Sequence, residues 1–379
     1  MEEQKRRFLE MKQKYYSIDN LISKKAIYNI LLGERSNGKS YATKKLCLWE
    51  AFHEKDFKTG KPKKRYQFGY LRRWREEIKS RDIELYFADM PIEEITDGQF
   101  NGVYSYRNDI FLKKEEDGKI VDKKLIGSAF ALSMVTHYKS LAFPNIGNII
   151  FEEFITSSGY LGAEVRNLND LISTIARREY VRVFMIGNTI SRLCPYFDEW
   201  QLSHIKTQEQ GTIEIYNQTT DQYDEHTGKP IIITIAVEYC ANSGNTSKMF
   251  FGNKAKMITT GVWETDEQPH LPKKLNQYET KYQVFYEYGS NKFILNLLRD
   301  LETKEILLYV YPTVKECPKK IKRIVTDKFN LSPTSSLYLT KVLKYDSIIM
   351  KLISDNKVCF SDNLTGTEFK QVRKERGGY

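Results

Sequence analysis

The sequence predicts an α/β fold built on a mainly parallel sheet. Three observations point there: short apolar runs that stop at glycine or polar residues, helical spacing between those runs, and a glycine-rich phosphate-loop pattern at the first junction. The first run, Ala26-Ile27-Tyr28-Asn29-Ile30-Leu31-Leu32, stops at Gly33 and suits a strand buried on both faces. Before it, the first sixteen residues carry Phe8, Leu9, Met11 and Tyr15 at helical spacing and are expected as a helix. From Ser40 the spacing is again helical, with Ala42, Leu46 and Trp49 on one side. A basic loop, Lys55 to Arg65, leads into a second strand at Tyr66 to Leu71. Further strands are expected at Ile126 to Leu132, Asn148 to Phe151 and Tyr180 to Ile186, with a helix from about Glu164 to Ala176 before the last.

The texture changes after Pro195-Tyr196-Phe197. Residues 206–245 are rich in Gln, Thr, Asn and Gly and hold one apolar strand, Ile231 to Val237. Pro269 and Pro272 flank a polar boundary. Three adjacent strands then read as a meander (Tyr282 to Tyr288, Phe293 to Leu298, Glu305 to Val310), followed by a helical pattern near Ser335 to Ile353.

Composition narrows the function classes. The 379 residues are 41% hydrophobic and 13% aromatic, enough for sizeable cores and against global disorder. No apolar run approaches the ~20 residues of a membrane span. The stretch MEEQKRRFLEMKQKYY lacks the apolar core of a signal peptide. Five scattered cysteines, none in CxxC spacing, fit a reducing compartment and argue against a disulfide framework or a zinc site. The net charge of +10 favours an anionic partner. Residues 315–379 hold 14 Lys+Arg against 7 Asp+Glu, so most of that excess lies there and suits DNA phosphates or an acidic partner.

The sharpest local signal is Gly33-Glu34-Arg35-Ser36-Asn37-Gly38-Lys39-Ser40, a full match to the P-loop pattern, with Tyr41 following in the helix. Glycines let the loop curl so that backbone N–H groups face phosphate oxygens, and the following helix turns its positive end to the same anion. Lys39 would reach the β- and γ-phosphates of ATP, and Ser40 would ligate Mg²⁺. A second signal is the run Ile149-Ile150-Phe151 entering Glu152-Glu153. A buried strand ending in two carboxylates lets the first serve the metal and the second act as base on water. Glu152 stands where Asp is usual and is one methylene longer. Asn188 closes the strand Met185-Ile186-Gly187 at the same sheet edge, where it could sense the γ-phosphate or orient water, or be an ordinary loop residue. Arg177 and Arg178 follow a helix; they could stabilise transition-state charge from a neighbouring subunit or simply solvate a helix end.

Taken in order, GERSNGKSYA at 33–42, FGYLRRW at 68–74, HYKSLAFPNIGNIIFEEFI at 137–155 and TIARREYVRVFMIGNTISRLCPYF at 174–197 resemble the DNA-encapsidation ATPase of small podoviruses, one of the ring-forming packaging motors of tailed bacteriophages. The resemblance covers roughly residues 20–200, with an echo at Tyr345 to Asp362. It implies a P-loop ATPase domain of the additional-strand class at 1–205, a linker or lid region at 206–270, and a basic, nuclease-inactive RNase H-like domain at 271–379 that meets DNA or the portal. It implies Lys39 and Ser40 as the phosphate and metal pair, Glu152 as the metal-side acid and Glu153 as the catalytic glutamate. Arg178 falls closest to the trans-acting arginine, with Arg177 one register away, and Arg73 and Lys139 are implied near the nucleotide or the subunit interface. The partners implied are double-stranded DNA, a procapsid portal and further copies of the chain in a pentameric ring, with a structural RNA as a further candidate. The place implied is the host cytoplasm, transiently on the procapsid.

On the residues alone, the C-terminal region shows no convincing nuclease constellation. Glu287 is the internal acid of the first two meander strands, and Asp300, Glu302 and Glu305 cluster at a turn where solvated carboxylates are expected. Two other readings stay open. One is a P-loop kinase or small NTPase using residues 206–245 as a lid; the other is a nucleotide-gated binding protein without turnover.

Overall fold

The computed structural model describes residues 16–156, 159–177, 179–189, 191–202, 204–205, 207–223, 227–241, 263, 265–289, 291–313, 316–321, 323–326 and 344–375. The expected N-terminal helix, apart from Tyr16, and residues 335–343 of the expected C-terminal helix lie outside them. The chain divides into two units, Met1–Glu264 and Thr265–Tyr379.

The first unit is organised around one nine-stranded sheet. Its strands are β1 (Tyr28–Gly33), β2 (Gln67–Arg72), β3 (Gly102–Tyr106), β4 (Asp109–Glu116), β5 (Lys119–Ala131), β6 (Ile146–Glu152), β7 (Arg182–Asn188), β8 (Thr212–Tyr223) and β9 (Pro230–Tyr239). They lie in the order β3-β4-β5-β2-β6-β7-β1-β9-β8. The six central strands, β5 to β9 in that order, run parallel, and antiparallel pairs close both edges. Strand β7 lies between β1 and β6, so the strand entering the glycine loop and the strand ending in Glu152 are not direct neighbours.

Helices cover both faces, which is why the central strands read as nearly continuous apolar runs. In β1, Tyr28, Ile30 and Leu32 pack with Leu168, Leu171 and Ile175 of the helix Glu164–Ala176 (α3). Leu31, pointing the other way, packs with Leu46, Cys47 and Ala51 of the helix Lys39–His53 (α1). Ile30, Leu31 and Leu32 are fully buried, each contributing about 1.5–3 kcal/mol of transfer free energy. The helix Ser80–Phe87 (α2) sits in the excursion between β2 and β3 and buries Ile83 and Phe87.

The Gln/Thr-rich stretch expected as part of a linker differs. Thr212–Tyr223 and Pro230–Tyr239 are strands β8 and β9, and β9 pairs with β1 from Tyr28↔Ile235 to Leu32↔Tyr239. Ile235, Ala236, Val237 and Tyr239 of β9 are buried in the core, while the outer strand is an edge and tolerates a polar sequence. Likewise the expected strand at 126–132 begins earlier, as β5, because charged residues 119–125 pair with β4 in a solvent-facing hairpin.

The second unit is a five-stranded sheet of β10 (Tyr278–Tyr288), β11 (Asn291–Asp300), β12 (Ile306–Pro312), β13 (Arg323–Val325) and β14 (Val358–Phe360). Its order is β13-β10-β11-β12-β14, with the expected antiparallel meander in the middle and parallel strands at both edges. Helices α4 (Lys344–Ser354) and α5 (Asn363–Glu375) complete it. A buried ion pair joins β13 to α4, with Arg323 Nη2 2.9 Å from Asp346 Oδ2. Asp300, expected to be solvated, is buried instead. It accepts the N–H groups of Glu302 and Thr303 and pairs with Lys273, which holds its carboxyl down at about 2.

Candidate functional site

Both chemical motifs lie at one end of the large sheet. Gly33 ends β1 with φ +144°, Ser36 takes φ +62° at the crest, and Gly38 caps α1 with φ +97°. A side chain at Gly33 or Gly38 would meet this left-handed backbone, which explains why both positions are glycine. Gly33 is in register with Asn188 of β7, so Asn188 stands beside the root of the loop. Arg35, Ser36 and Tyr41 face solvent.

Lys39 is buried at the start of α1. Its ammonium donates to the Glu34 carbonyl at 2.5 Å and to Asn37 Oδ1 at 3.2 Å, both uncharged acceptors. Burial lowers its pKa, and the thiol of Cys240, Glu152 and Glu34 only partly oppose this. Cys240 follows β9 and donates its N–H to the Leu32 carbonyl, which brings its side chain against Gly33. Tyr16 lies over Gly38 and donates its hydroxyl to Glu238 at 2.7 Å.

Glu152 ends β6 and is 7% exposed. Burial raises its pKa, and the hydrogen bonds from the Tyr86 and Ser40 hydroxyls offset this only in part. The Tyr86 bond is 2.7 Å. A buried cation on neutral acceptors and a buried carboxylate on hydroxyls thus face the same loop, and at each of them burial outweighs the opposite charges nearby, Glu152 and Glu34 for Lys39, Arg72 and Lys44 for Glu152. Mg²⁺ with a nucleoside triphosphate would fit such a loop: phosphate oxygens would answer Lys39, and the metal would answer Glu152. Among the described residues, no group of three or more His, Cys, Asp or Glu could hold a metal. Mg²⁺ commonly sits on one or two carboxylates plus substrate phosphates, so Glu152, Ser40 and a nucleotide suffice as ligands.

Glu153 behaves differently. It turns out of the strand with φ +53°, an outlier for a non-glycine residue, and its side chain is 65% exposed. Its carboxylate pairs with Arg72 Nη2 at 2.9 Å, and Arg72 also holds Glu77 at 2.6 Å. Arg73 points inward within its own unit. It is buried, its Nε bonds both oxygens of Glu164, and Nη1 and Nη2 reach the carbonyls of Glu153 and Phe154 at 3.1 and 2.7 Å. It braces the backbone on which Glu153 stands. Strand alternation separates the two arginines: Arg72 and Arg73 leave the end of β2 on opposite sides.

Lys139 pairs with Asp170 of α3 at 3.1 Å. Arg177 caps the C-terminus of α3 with φ +51° and reaches the Leu141 carbonyl at 2.9 Å. Arg178 lies outside the described residues. The structure therefore brings Gly33, Glu34, Asn37, Gly38, Lys39, Ser40, Glu152 and Asn188 to one sheet edge and adds Tyr86 and Arg72, which sequence reasoning missed. The only trace of Arg72 is its place beside Arg73 in FGYLRRW.

A family model described as podovirus DNA encapsidation protein (Gp16) matches residues 11–220. The DNA packaging protein of Bacillus phage B103 is 34% identical over 360 residues, 88% of this chain and 97% of that protein. That of Bacillus phage phi29 is 25% identical over 370 residues, 90% of this chain and 96% of its own. A solved structure of the bacteriophage phi29 genome packaging motor assembly is similar in fold, with a TM-score of 0.53 and 22% identity over 96% of this chain and 99% of that one.

Proposed function

The chain belongs to the podovirus DNA encapsidation protein (Gp16) family, and from that premise we propose that it is an ATP-driven motor that moves double-stranded DNA into a procapsid. The observation that carries the ATPase part is the paired deficit at one sheet edge: buried Lys39 on uncharged acceptors opposite buried Glu152 on hydroxyls. The strand inserted between β1 and β6 supports the additional-strand class of P-loop ATPases.

In this reading, the loop N–H groups and Lys39 bind and orient the triphosphate of ATP. Mg²⁺, held by Ser40 and Glu152, supplies charge neutralisation for the phosphates. Glu153 takes a proton from water as the water oxygen bonds to the γ-phosphorus and ADP leaves. A carboxylate engaged by Arg72 is a weaker base, so Arg72 must release Glu153 before that step. Asn188 stands where it could contact the γ-phosphate. Arg178 of an adjacent copy completes the site in a homomeric, pentameric ring on the portal, with a structural RNA as a candidate adaptor. The basic C-terminal unit, RNase H-like and without nuclease activity, contacts DNA backbone or portal. Such contacts must be indifferent to sequence, because a motor runs over any of it.

The kinase alternative needs a mobile lid from residues 206–245, and Thr212–Tyr223 and Pro230–Tyr239 of that stretch are strands of the large sheet. Purified protein should hydrolyse ATP in Mg²⁺, faster with double-stranded DNA of any sequence, and Lys39→Ala should abolish both rates. Turnover that DNA does not change, with phosphate passing to a small acceptor instead of water, would overturn the motor in favour of a kinase.

A further inference from the structure

The carboxylate at the metal side of the site carries one methylene more than the usual aspartate, and with it one more rotatable bond. Something must fix its direction. The structure supplies a rigid donor from outside the sheet. Tyr86, at the end of α2, donates its hydroxyl to Glu152 Oε1 at 2.7 Å. Its ring is clamped on several sides. It stacks on Tyr70 of β2 with centroids 4.5 Å apart and planes at 27°, and meets Phe87 edge-on at 4.8 Å. Lys44 Nζ stands 4.7 Å from the ring centroid.

Lys44 also pins the backbone. It donates to the Tyr86 carbonyl at 2.8 Å and to Asp89 at 2.5 Å. Lys44 lies in α1, five residues beyond Lys39, so the helix that opens at the phosphate loop also fixes Tyr86. The phenol is thus tied to the loop helix through its carbonyl, to β2 through its ring, and to β6 through its hydroxyl.

We propose that Tyr86 is a positioning residue for the metal site: its hydroxyl selects the rotamer in which the longer Glu152 side chain presents an oxygen beside Ser40. This rests on the reading of Glu152 as the metal-side acid. The bond is a hydrogen bond to a carboxylate, among the stronger kinds in proteins. It engages one of the two carboxylate oxygens of Glu152. The same excursion, residues 72–87, holds both acids at the end of β6, since Arg72 engages Glu153 and Tyr86 engages Glu152.

A double-mutant cycle on the full chain tests this without relying on turnover. Wild type, Tyr86→Phe, Glu152→Asp and the double variant are titrated with Mg²⁺ while the binding of a fluorescent ADP analogue is followed. A parallel arm in EDTA and a urea unfolding curve report the fold. Tyr86→Phe keeps the ring and its clamps, so EDTA binding and the unfolding midpoint should stay at wild-type values. The Mg²⁺ concentration for half-maximal binding should rise about tenfold, the scale of one lost hydrogen bond to a charged group. In the Glu152→Asp background the carboxylate is drawn back by one methylene, and the same substitution should change that concentration less than twofold. Equal shifts in both backgrounds, or none in either, would overturn the positioning role while leaving Glu152 as metal ligand. If Mg²⁺ does not affect nucleotide binding by the wild type, the metal-side role of Glu152 falls, and this inference with it.

Discussion

Glu50 and Glu152 are both buried carboxylates of the same unit, yet their surroundings are opposite. Glu50, near the end of α1, is completely buried at the entry ends of β6 and β7. Arg182 Nη2 reaches both its oxygens at 2.8 and 3.0 Å, Lys63 pairs with it, Asn148 donates at 2.7 Å, and the Phe57 N–H donates at 3.0 Å. Glu152, at the exit end of β6, takes its hydrogen bonds from hydroxyls, with Arg72 and Lys44 acting only through their charges. Burial pushes both pKa values up; at Glu50 the Arg182 and Lys63 charges outweigh burial and bring it below the ordinary value, whereas at Glu152 burial wins. A fully answered buried charge is a joint of the fold. A buried charge that burial still dominates is a candidate place for a ligand, and under the proposed function that ligand is a cation.

The largest effect should fall on the joint. Removing one member of a buried pair costs about 3–5 kcal/mol, because the others remain buried without their counterpart. Glu50→Ala should lose that much stability by urea unfolding, since Arg182 and Lys63 keep their charge. Glu152→Gln, measured without metal, should change stability by less than about 1 kcal/mol or raise it, because it removes a charge whose burial was poorly compensated. Similar losses for the two variants would erase the distinction between joint and site.

Next in size is the effect of the third carboxylate. Glu153 is exposed and held by a surface pair, an arrangement that contributes little to stability. Glu153→Gln should therefore unfold at the wild-type urea concentration and bind nucleotide normally, while ATP turnover falls at least ~10²-fold, the lower end for a lost general base. Turnover within a few-fold of wild type would remove Glu153 from the mechanism and leave the sheet edge as a binding site alone.

What could be read without coordinates was what is local. The run 26–32, the glycine loop and the helix from Lys39 are contiguous, so one pattern fixes strand, turn and helix together. Glu152-Glu153 was legible because a buried strand ends where its polar residues begin. Tyr86 and Arg72 were not, because their roles exist only across 66 and 81 residues of chain. Arg73 was implied near the nucleotide or the subunit interface by resemblance, and its contacts to Glu164 and the Phe154 carbonyl were not legible because they span 91 and 81 residues of chain. Glu50 gave no signal at all: on α1 it is one more helical glutamate until Arg182 arrives from β7. The outer hairpins were underread for a related reason. A half-exposed edge strand needs no apolar face, so β8 resembles a polar loop in sequence.

The smallest effect is the most direct reading of the two glutamates, because their pKa shifts have opposite signs. Without metal or nucleotide, stability is followed from neutral to acid pH for wild type, Glu50→Gln and Glu152→Gln. Glu50 has a folded pKa below the ordinary ~4.3 of a glutamate. Its contribution is complete above that ordinary value and is lost as pH falls through the folded pKa, because the unfolded chain then takes up the proton first. Subtracting the Glu50→Gln curve from wild type should leave a difference that falls on acidification, within the window below ~4.3. Glu152 has a folded pKa above ~4.3. Between that raised value and ~4.3 the folded chain holds the extra proton, so stability rises as pH falls. The wild-type minus Glu152→Gln difference should accordingly climb on acidification and level off near ~4.3. Each slope is bounded by one proton, about 1.4 kcal/mol per pH unit. Two difference curves of the same sign would mean that Glu152 is compensated in the folded chain much as Glu50 is, and that the exit end of β6 holds no charge in want of a cation.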